Sequence, residues 1–330
     1  MINVDRLSKA FRISIPGENF LEKGKRFLIP RYKYIQAVNN INFAIKEGEI
    51  IGFLGPNGAG KSTTIKLLTG VLVPNSGMVR VNGIIPYKQR IQNAYQIGVV
   101  YGQRSQLWWD LPLIDSFKIL KAMYRLSDST YKANLDFFVD LLQMKTYINQ
   151  PVRKLSLGQR MRADICAALL HDPPVLYLDE PTIGLDIIAK NRVYEFIRNL
   201  NAEKNTTIIL TTHNLSDVES VCPRILIVDK GNLILDAPKS DILKRFGKTR
   251  TLTVTFYNGV QDINVSGREI IKKNKNELQI KFNREEVSAF DLIASMEQNK
   301  GIKDVSIHED NIESIVAQIY EKGAEEGGGR

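Results

Sequence analysis

The chain has 330 residues, of which 43% are hydrophobic and 25% charged. That length supports a large core and two domains, and the composition is globular rather than disordered, collagenous or disulfide-scaffolded. No run approaches the roughly eighteen apolar residues of a membrane span, and no signal-peptide pattern opens the chain, so the expectation is a cytoplasmic protein that is not itself integral to the membrane.

A net charge of +9 points to anionic partners: nucleotide, membrane surface or nucleic acid. One dense basic stretch holds Lys23, Lys25, Arg26, Arg31 and Lys33, broken by Pro30. It reads either as a solvated loop or as a contact for anionic lipid or a membrane partner. No aromatic ladder or nucleic-acid motif accompanies it, so no nucleic-acid partner is expected. Cys166 and Cys222 each sit in an apolar-rich segment without metal-ligand spacing, as reduced core thiols would.

In chain order, Ile2, Val4 and Leu7 alternate as a first strand, and a polar, basic insertion follows to about Tyr34. Residues 37–45 alternate as a second strand, turned by Glu47 and Gly48 into a short apolar run that ends at Leu54. Next comes Gly55, Pro56, Asn57, Gly58, Ala59, Gly60, Lys61, Ser62, Thr63, with helically spaced apolar residues after it. This strand, glycine loop and helix form the setting of a phosphate cradle. Glycines let successive N–H groups curl toward phosphate oxygens, and the helix start adds positive charge. Lys61 would reach the β- and γ-phosphates, and Ser62 would ligate Mg²⁺.

Beyond the loop, Pro74 to Gly77 make a turn, and residues 78–83 read as the start of a hairpin. Residues 97–101 read as a buried strand ending at Gly102 and Gln103, and 116–149 carry a long helical pattern. A helix over 160–170 and an apolar strand over 175–178 come next, the strand ending in Asp179 and Glu180. The aspartate fits Mg²⁺ binding and its neighbour fits polarisation of an attacking water. Helix 189–201, strand 206–211, helix 215–221 and a hairpin around Lys230-Gly231-Asn232 follow. Alternating strands and helices give an α/β class with a mainly parallel core sheet. The pattern changes near Phe246, Gly247 and Lys248. Half-exposed strands at 251–256, 278–282 and 302–307, with helices at 285–297 and 312–320, predict a small α+β domain over 247–326. Residues 327–330 read as a flexible tail.

The order of these motifs resembles one family, the ATP-binding subunits of ABC transporters, from about residue 2 to about residue 245. The segment Leu155-Ser156-Leu157-Gly158-Gln159 resembles the ABC signature, with Leu157 where Gly is commoner. Gln103 matches the Q-loop, Asp179-Glu180 the Walker B pair, residues 183–186 the D-loop, and His213 the switch histidine. The resemblance implies a P-loop NTPase core over 1–246: a mainly parallel sheet, an antiparallel β subdomain and a helical signature subdomain at about 105–170. It implies ATP as the nucleotide, with Mg²⁺ held by Ser62, Gln103 and Asp179. Glu180 would be the general base and His213 would contact the γ-phosphate. Tyr34 would stack on adenine, with Tyr32 as its rival. Ser156, Gly158, Gln159 and Asp186 would contact the ATP of an opposite subunit, so the chain should work as a two-fold pair, a homodimer in the simplest case.

With no span of its own, such a subunit would sit peripherally on the cytoplasmic face of the cell membrane and serve separate integral permease subunits, here of exporter type. The segment with Trp108 and Trp109 follows the Q-loop, where the family docks its permease; a core role for both tryptophans is the alternative. A soluble ABC-type ATPase acting on ribosomes or nucleic acid is the rival function. One glycine loop and no sustained heptads argue against it. A catalytically dead subunit conflicts with Lys61, Asp179, Glu180 and His213 occurring together.

Overall fold

The computed structural model describes residues 1–14, 32–102, 104–246, 249–257, 259–260, 269–297 and 301–309. The chain packs as two compact units, Met1–Asp236 and Ala237–Arg330. The division falls ahead of 246/247 because a helix over Lys239–Phe246, without a counterpart in the sequence reading, groups with the second unit.

In the first unit, strands β1 (Ile2–Ser14), β2 (Tyr32–Ile45) and β4 (Ser76–Val81) form an antiparallel sheet in the order β2-β1-β4. Ile2 pairs with Ile45 on one side and Val81 on the other, so the alternating apolar residues share one face. The expected hairpin after Met78 does not extend. Strand β4 pairs with β1 instead, and Asn82-Gly83 lead only to a bridge between Val81 and Ile84.

The second sheet contains β3 (Ile50–Leu54), β5 (Ile97–Tyr101), β6 (Val175–Asp179), β7 (Thr207–Thr212), β8 (Arg224–Asp229) and β9 (Asn232–Pro238), in the order β5-β6-β7-β3-β8-β9. The first five are parallel. Strands β3, β6 and β7 are buried throughout, as continuous apolar runs covered on both faces should be. Leu54 lies opposite Thr212, and Asp179 opposite both Thr211 and Tyr101. The carboxyl ends of four strands therefore share one sheet edge, the edge at which parallel sheets bind ligands.

Helices α1 (Lys61–Leu68), α2 (Arg90–Ala94), α3 (Leu113–Met123), α4 (Asp128–Leu141), α5 (Leu157–Leu169), α6 (Ile187–Lys204) and α7 (Leu215–Val221) connect these strands. The helical pattern expected over 116–149 resolves into α3 and α4. Arg125 takes a left-handed φ of 52°, and Ser127 caps a new helix by accepting a hydrogen bond from Thr130 N at 3.1 Å. Ile2, Phe43, Phe53, Ile65, Tyr177 and Leu226 belong to one buried cluster that joins the two sheets. Each such side chain contributes about 1.5–3 kcal/mol on burial. Cys166 and Cys222 are both buried. No helix among the described residues is long and apolar enough to cross a membrane.

The second unit contains α8 (Lys239–Phe246) and an antiparallel sheet of β10 (Thr249–Phe256), β11 (Glu269–Lys273), β12 (Glu277–Asn283) and β13 (Ile302–Glu309), ordered β11-β12-β10-β13. Leu252, Val254, Leu278 and Ile280 point inward against Leu292 and Met296 of α9 (Ala289–Glu297). That helix starts at Ala289 rather than 285. Ser288 precedes it and accepts from Asp291 N at 3.1 Å. The last expected helix, 312–320, and the 327–330 tail lie outside the described residues, as does most of the basic stretch before Lys33.

Candidate functional site

The glycine loop runs from the end of β3 into α1. Its helix begins behind Gly60, whose φ is 105°. A Cβ there would stand 2.3 Å from the Ala37 carbonyl oxygen of β2, so only glycine lets the loop and that strand approach. Tyr34 is exposed, whereas the Tyr32 ring lies beneath the Arg12 guanidinium at 4.1 Å.

Lys61 is buried, and its ammonium donates to the carbonyl oxygens of Gly55 (2.7 Å) and Pro56 (3.1 Å). Burial pushes its pKa below the ordinary lysine value, against the raising influence of the Glu180 and Asp179 carboxylates. Ser62 Oγ donates to Asp179 Oδ1 at 3.1 Å, and Thr211 Oγ1 donates to the same oxygen at 2.5 Å. Asp179 and Ser62 thus converge as hard oxygen donors, the set that suits Mg²⁺.

Glu180 takes a left-handed φ of 54°, and its N–H donates to the backbone oxygen of Thr211 at 3.1 Å. Its carboxylate and that of Asp179 line the same cavity and take different partners. Its Oε1 lies 3.7 Å from Lys61 Nζ and 3.1 Å from His213 Nδ1. Ser62, Asp179, Glu180 and His213 line one cavity of about 620 Å³ with Asn57 and Arg104. Five residues singled out from sequence (Lys61, Ser62, Asp179, Glu180, His213) therefore meet at one place. Gln103 lies outside the described residues.

The signature residues stand apart from that cavity. Ser156 caps α5: its Oγ accepts from Gln159 N at 3.2 Å, and Gln159 Oε1 accepts from Ser156 N at 2.9 Å. The sequence pattern had placed the helix start at 160. The capping box moves it forward, so Leu157, Gly158 and Gln159 form the first helical turn. Asp186 caps α6 by accepting from Ala189 N at 2.7 Å. Ser156, Gly158, Gln159 and Asp186 line a separate cavity of about 250 Å³ with Arg162 and Arg192. None of these residues borders the glycine-loop cavity.

Two features escaped sequence reading, and one alternative is decided. Thr211 fixes Asp179, although the Thr-Thr-His run was visible as a signal. Arg104 borders the cavity, and nothing local marked it. Trp108 and Trp109 are 38% and 51% exposed, which rules out the core alternative for both.

Comparison with known proteins adds the family. The family described as ABC transporter matches residues 38–183. ABC transporter ATP-binding protein NatA of Bacillus subtilis (strain 168) is 32% identical over 202 residues, covering 61% of this chain and 82% of that protein. The chain belongs to the ATP-binding proteins of ABC transporters. Linearmycin resistance ATP-binding protein LnrL of the same organism is 34% identical over 218 residues, covering 66% of this chain and 70% of the relative. The probable multidrug ABC transporter ATP-binding protein YbhF of Escherichia coli (strain K12) is 33% identical over 227 residues, 69% of this chain but 38% of the relative.

Among solved structures, the ATP-binding subunit of an ABC transporter superimposes with a TM-score of 0.60 at 24% identity, covering 74% of this chain and 93% of that one. The dimeric post-hydrolysis state of the ATP-binding cassette MJ0796 bound to ADP and Pi gives 0.60 at 24%, covering 72% and 98%. These likenesses establish the P-loop ABC fold. As a member of this family the chain binds ATP and is an ATPase.

Proposed function

We propose that this ABC ATPase powers export through separate integral permease subunits, as one half of a pair that closes over two ATP molecules. The observation that carries the reading is the separation of its two half-sites. Ser62, Asp179, Glu180 and His213 line one cavity, with Lys61 Nζ 3.7 Å from Glu180, while Ser156, Gly158, Gln159 and Asp186 line another with no shared residue. A signature that lines no part of the glycine-loop cavity is free to meet the nucleotide of a second copy. Export, rather than import, is supported by the resistance and multidrug names of two relatives.

The geometry supports the following roles. The Gly55–Thr63 backbone cradles the phosphates, with the start of α1 adding positive potential. Lys61 turns from the Gly55 and Pro56 carbonyls to phosphate oxygens, a stronger charge-assisted pairing. Ser62 and Asp179, with Gln103, would hold a Mg²⁺, which would supply charge neutralisation at the phosphates when bound. Glu180 accepts the proton of the attacking water, and His213, 3.1 Å away, orients that carboxylate and reaches the γ-phosphate. Tyr34 stacks on adenine. Loss of the γ-phosphate removes what bridges the two halves, and the pair opens.

The exposed Trp108 and Trp109 give the permease an aromatic docking surface, which holds the ATPase at the cytoplasmic face of the membrane. Residues 1–246 act as the ATPase domain, and 247–326 as an accessory domain that regulates or supports pairing.

The test is Glu180→Gln in protein purified with its partners from detergent-solubilised membranes. Turnover should fall by about 10²–10⁴-fold with ATP binding retained, and a polytopic membrane protein should co-purify. Unchanged turnover would refute the role of Glu180. Ribosomes or nucleic acid in place of a membrane protein would refute transport.

A further inference from the structure

Behind the hydrolytic pair lies a buried carboxylate that the reaction does not use directly. Asp217 of α7 is 1% exposed. Three hydroxyls converge on it: Thr182 Oγ1 donates to Oδ2 at 2.5 Å, Thr212 Oγ1 to Oδ2 at 2.9 Å, and the Tyr194 phenol to Oδ1. Lys190 Nζ stands 3.8 Å from Oδ1. All three donor residues are buried. Burial, together with the Asp217 bond, pushes the Tyr194 phenol far above its ordinary pKa, so it stays a donor.

Each donor belongs to a different working segment. Thr182 is two residues past Glu180, in the turn where Leu185 N donates to the Thr182 carbonyl at 3.2 Å. Thr212 directly precedes His213, and its hydroxyl also accepts from Asn214 N at 2.9 Å. One hydroxyl therefore brackets His213 from both sides, and Asp217 fixes that hydroxyl. Tyr194 and Lys190 lie one turn apart on α6, the helix that Asp186 caps.

We propose that Asp217 is a positioning residue that holds Glu180 and His213 at their working distance and ties their position to helix α6. The proposal rests on the roles given above to Glu180 and His213. A carboxylate suits the task because it accepts several hydrogen bonds and donates none. Buried hydroxyls that lose their acceptor must find another, and the turns carrying them shift. Glu180 is the vulnerable member, since its left-handed backbone persists only while its surroundings enforce it.

The experiment compares the full-length chain with Asp217→Asn, Asp217→Glu, Thr212→Val and Tyr194→Phe. Turnover, the KM for ATP, thermal midpoint and the imidazole resonances of the three histidines are measured together. Asp217→Asn should lower kcat by about ten- to a hundred-fold while KM changes by less than about two-fold, and it should shift the His213 resonance and spare that of His308. Asp217→Glu should recover part of kcat. If Asp217→Asn does not fold, Thr212→Val carries the same test with a single hydroxyl removed. An unchanged kcat with an unmoved His213 resonance in a folded variant would overturn the proposal. So would a fall in kcat that only tracks a loss of folded protein. If wild-type turnover proves independent of Glu180, the functional reading fails, and the His213 resonance still decides the positioning claim.

Discussion

Replacing Asp164 with Asn should make the protein more stable at neutral pH. Asp164 lies on α5 and is 6% exposed. Its Oδ1 accepts from Ser105 Oγ at 2.8 Å and from Gln106 N at 3.1 Å, tying the segment after Gln103 to the signature helix. Burial raises its pKa from 3.8 to about 6, only partly offset by those two bonds and by Arg160. The sign follows from the proton count. Between pH 3.8 and about 6 the folded chain holds a proton that the unfolded chain has released, so stability falls as pH rises through that window. The total is about two pKa units, or roughly 3 kcal/mol, fully lost above the folded pKa. Asn keeps the Oδ1 acceptor and carries no charge. Urea unfolding of both proteins at pH 4 and pH 8 should therefore show their stability difference moving by roughly 2.4 kcal/mol in favour of Asp164→Asn, with a rise in melting temperature of several degrees at pH 8. A difference that stays constant with pH would refute the reasoning, because it would mean that the buried carboxyl is not the titrating group.

Gly60→Ala places a methyl 2.3 Å from the Ala37 carbonyl oxygen on a backbone with φ of 105°. It should cost more than about 2 kcal/mol and abolish ATP binding, as read by urea unfolding and nucleotide titration. Gly184→Ala meets a φ of 73° and the Leu157 Cδ2 at 3.1 Å. It should cost about 1–2 kcal/mol in the natural chain and about 1 kcal/mol in a Leu157→Ala background, where only the backbone strain remains. Equal costs in the two backgrounds would show that Leu157 and Gly184 are not packed together.

The fold was legible wherever local pattern and tertiary role coincide. The apolar runs of β3, β6 and β7 are buried throughout, and their composition alone marked them as strands. The alternation of β10 and β12 survives as Leu252, Val254, Leu278 and Ile280 facing α9. Boundaries failed where a single side-chain bond decides them. Ser127 splits one helical pattern into α3 and α4, and the reciprocal Ser156–Gln159 bonds draw the signature into α5. The partner of β4 was hidden as well, because its pairing with β1 joins residues 68 to 79 positions apart.

The candidate site divides along the same line. The glycine loop is contiguous, so its chemistry is written in one stretch of sequence. Asp217 takes its donors from 35, 23 and 5 residues away, and Asp164 binds a serine 59 residues upstream. No spacing rule finds such hubs, since only the sheet order β6-β7-β3 sets their distances. Even the adjacent pair Asp179 and Glu180 needed the fold to separate its roles. Strand alternation turns successive side chains to opposite faces, yet both carboxylates reach one cavity. The left-handed φ at Glu180 breaks the alternation after β6: it leaves Asp179 on Ser62 and Thr211, and swings Glu180 to Lys61 and His213. Two neighbouring acids acquire different partners where the backbone turns left-handed, and those partners come from elements distant in sequence, so the difference between the two acids lies in tertiary structure rather than in the motif.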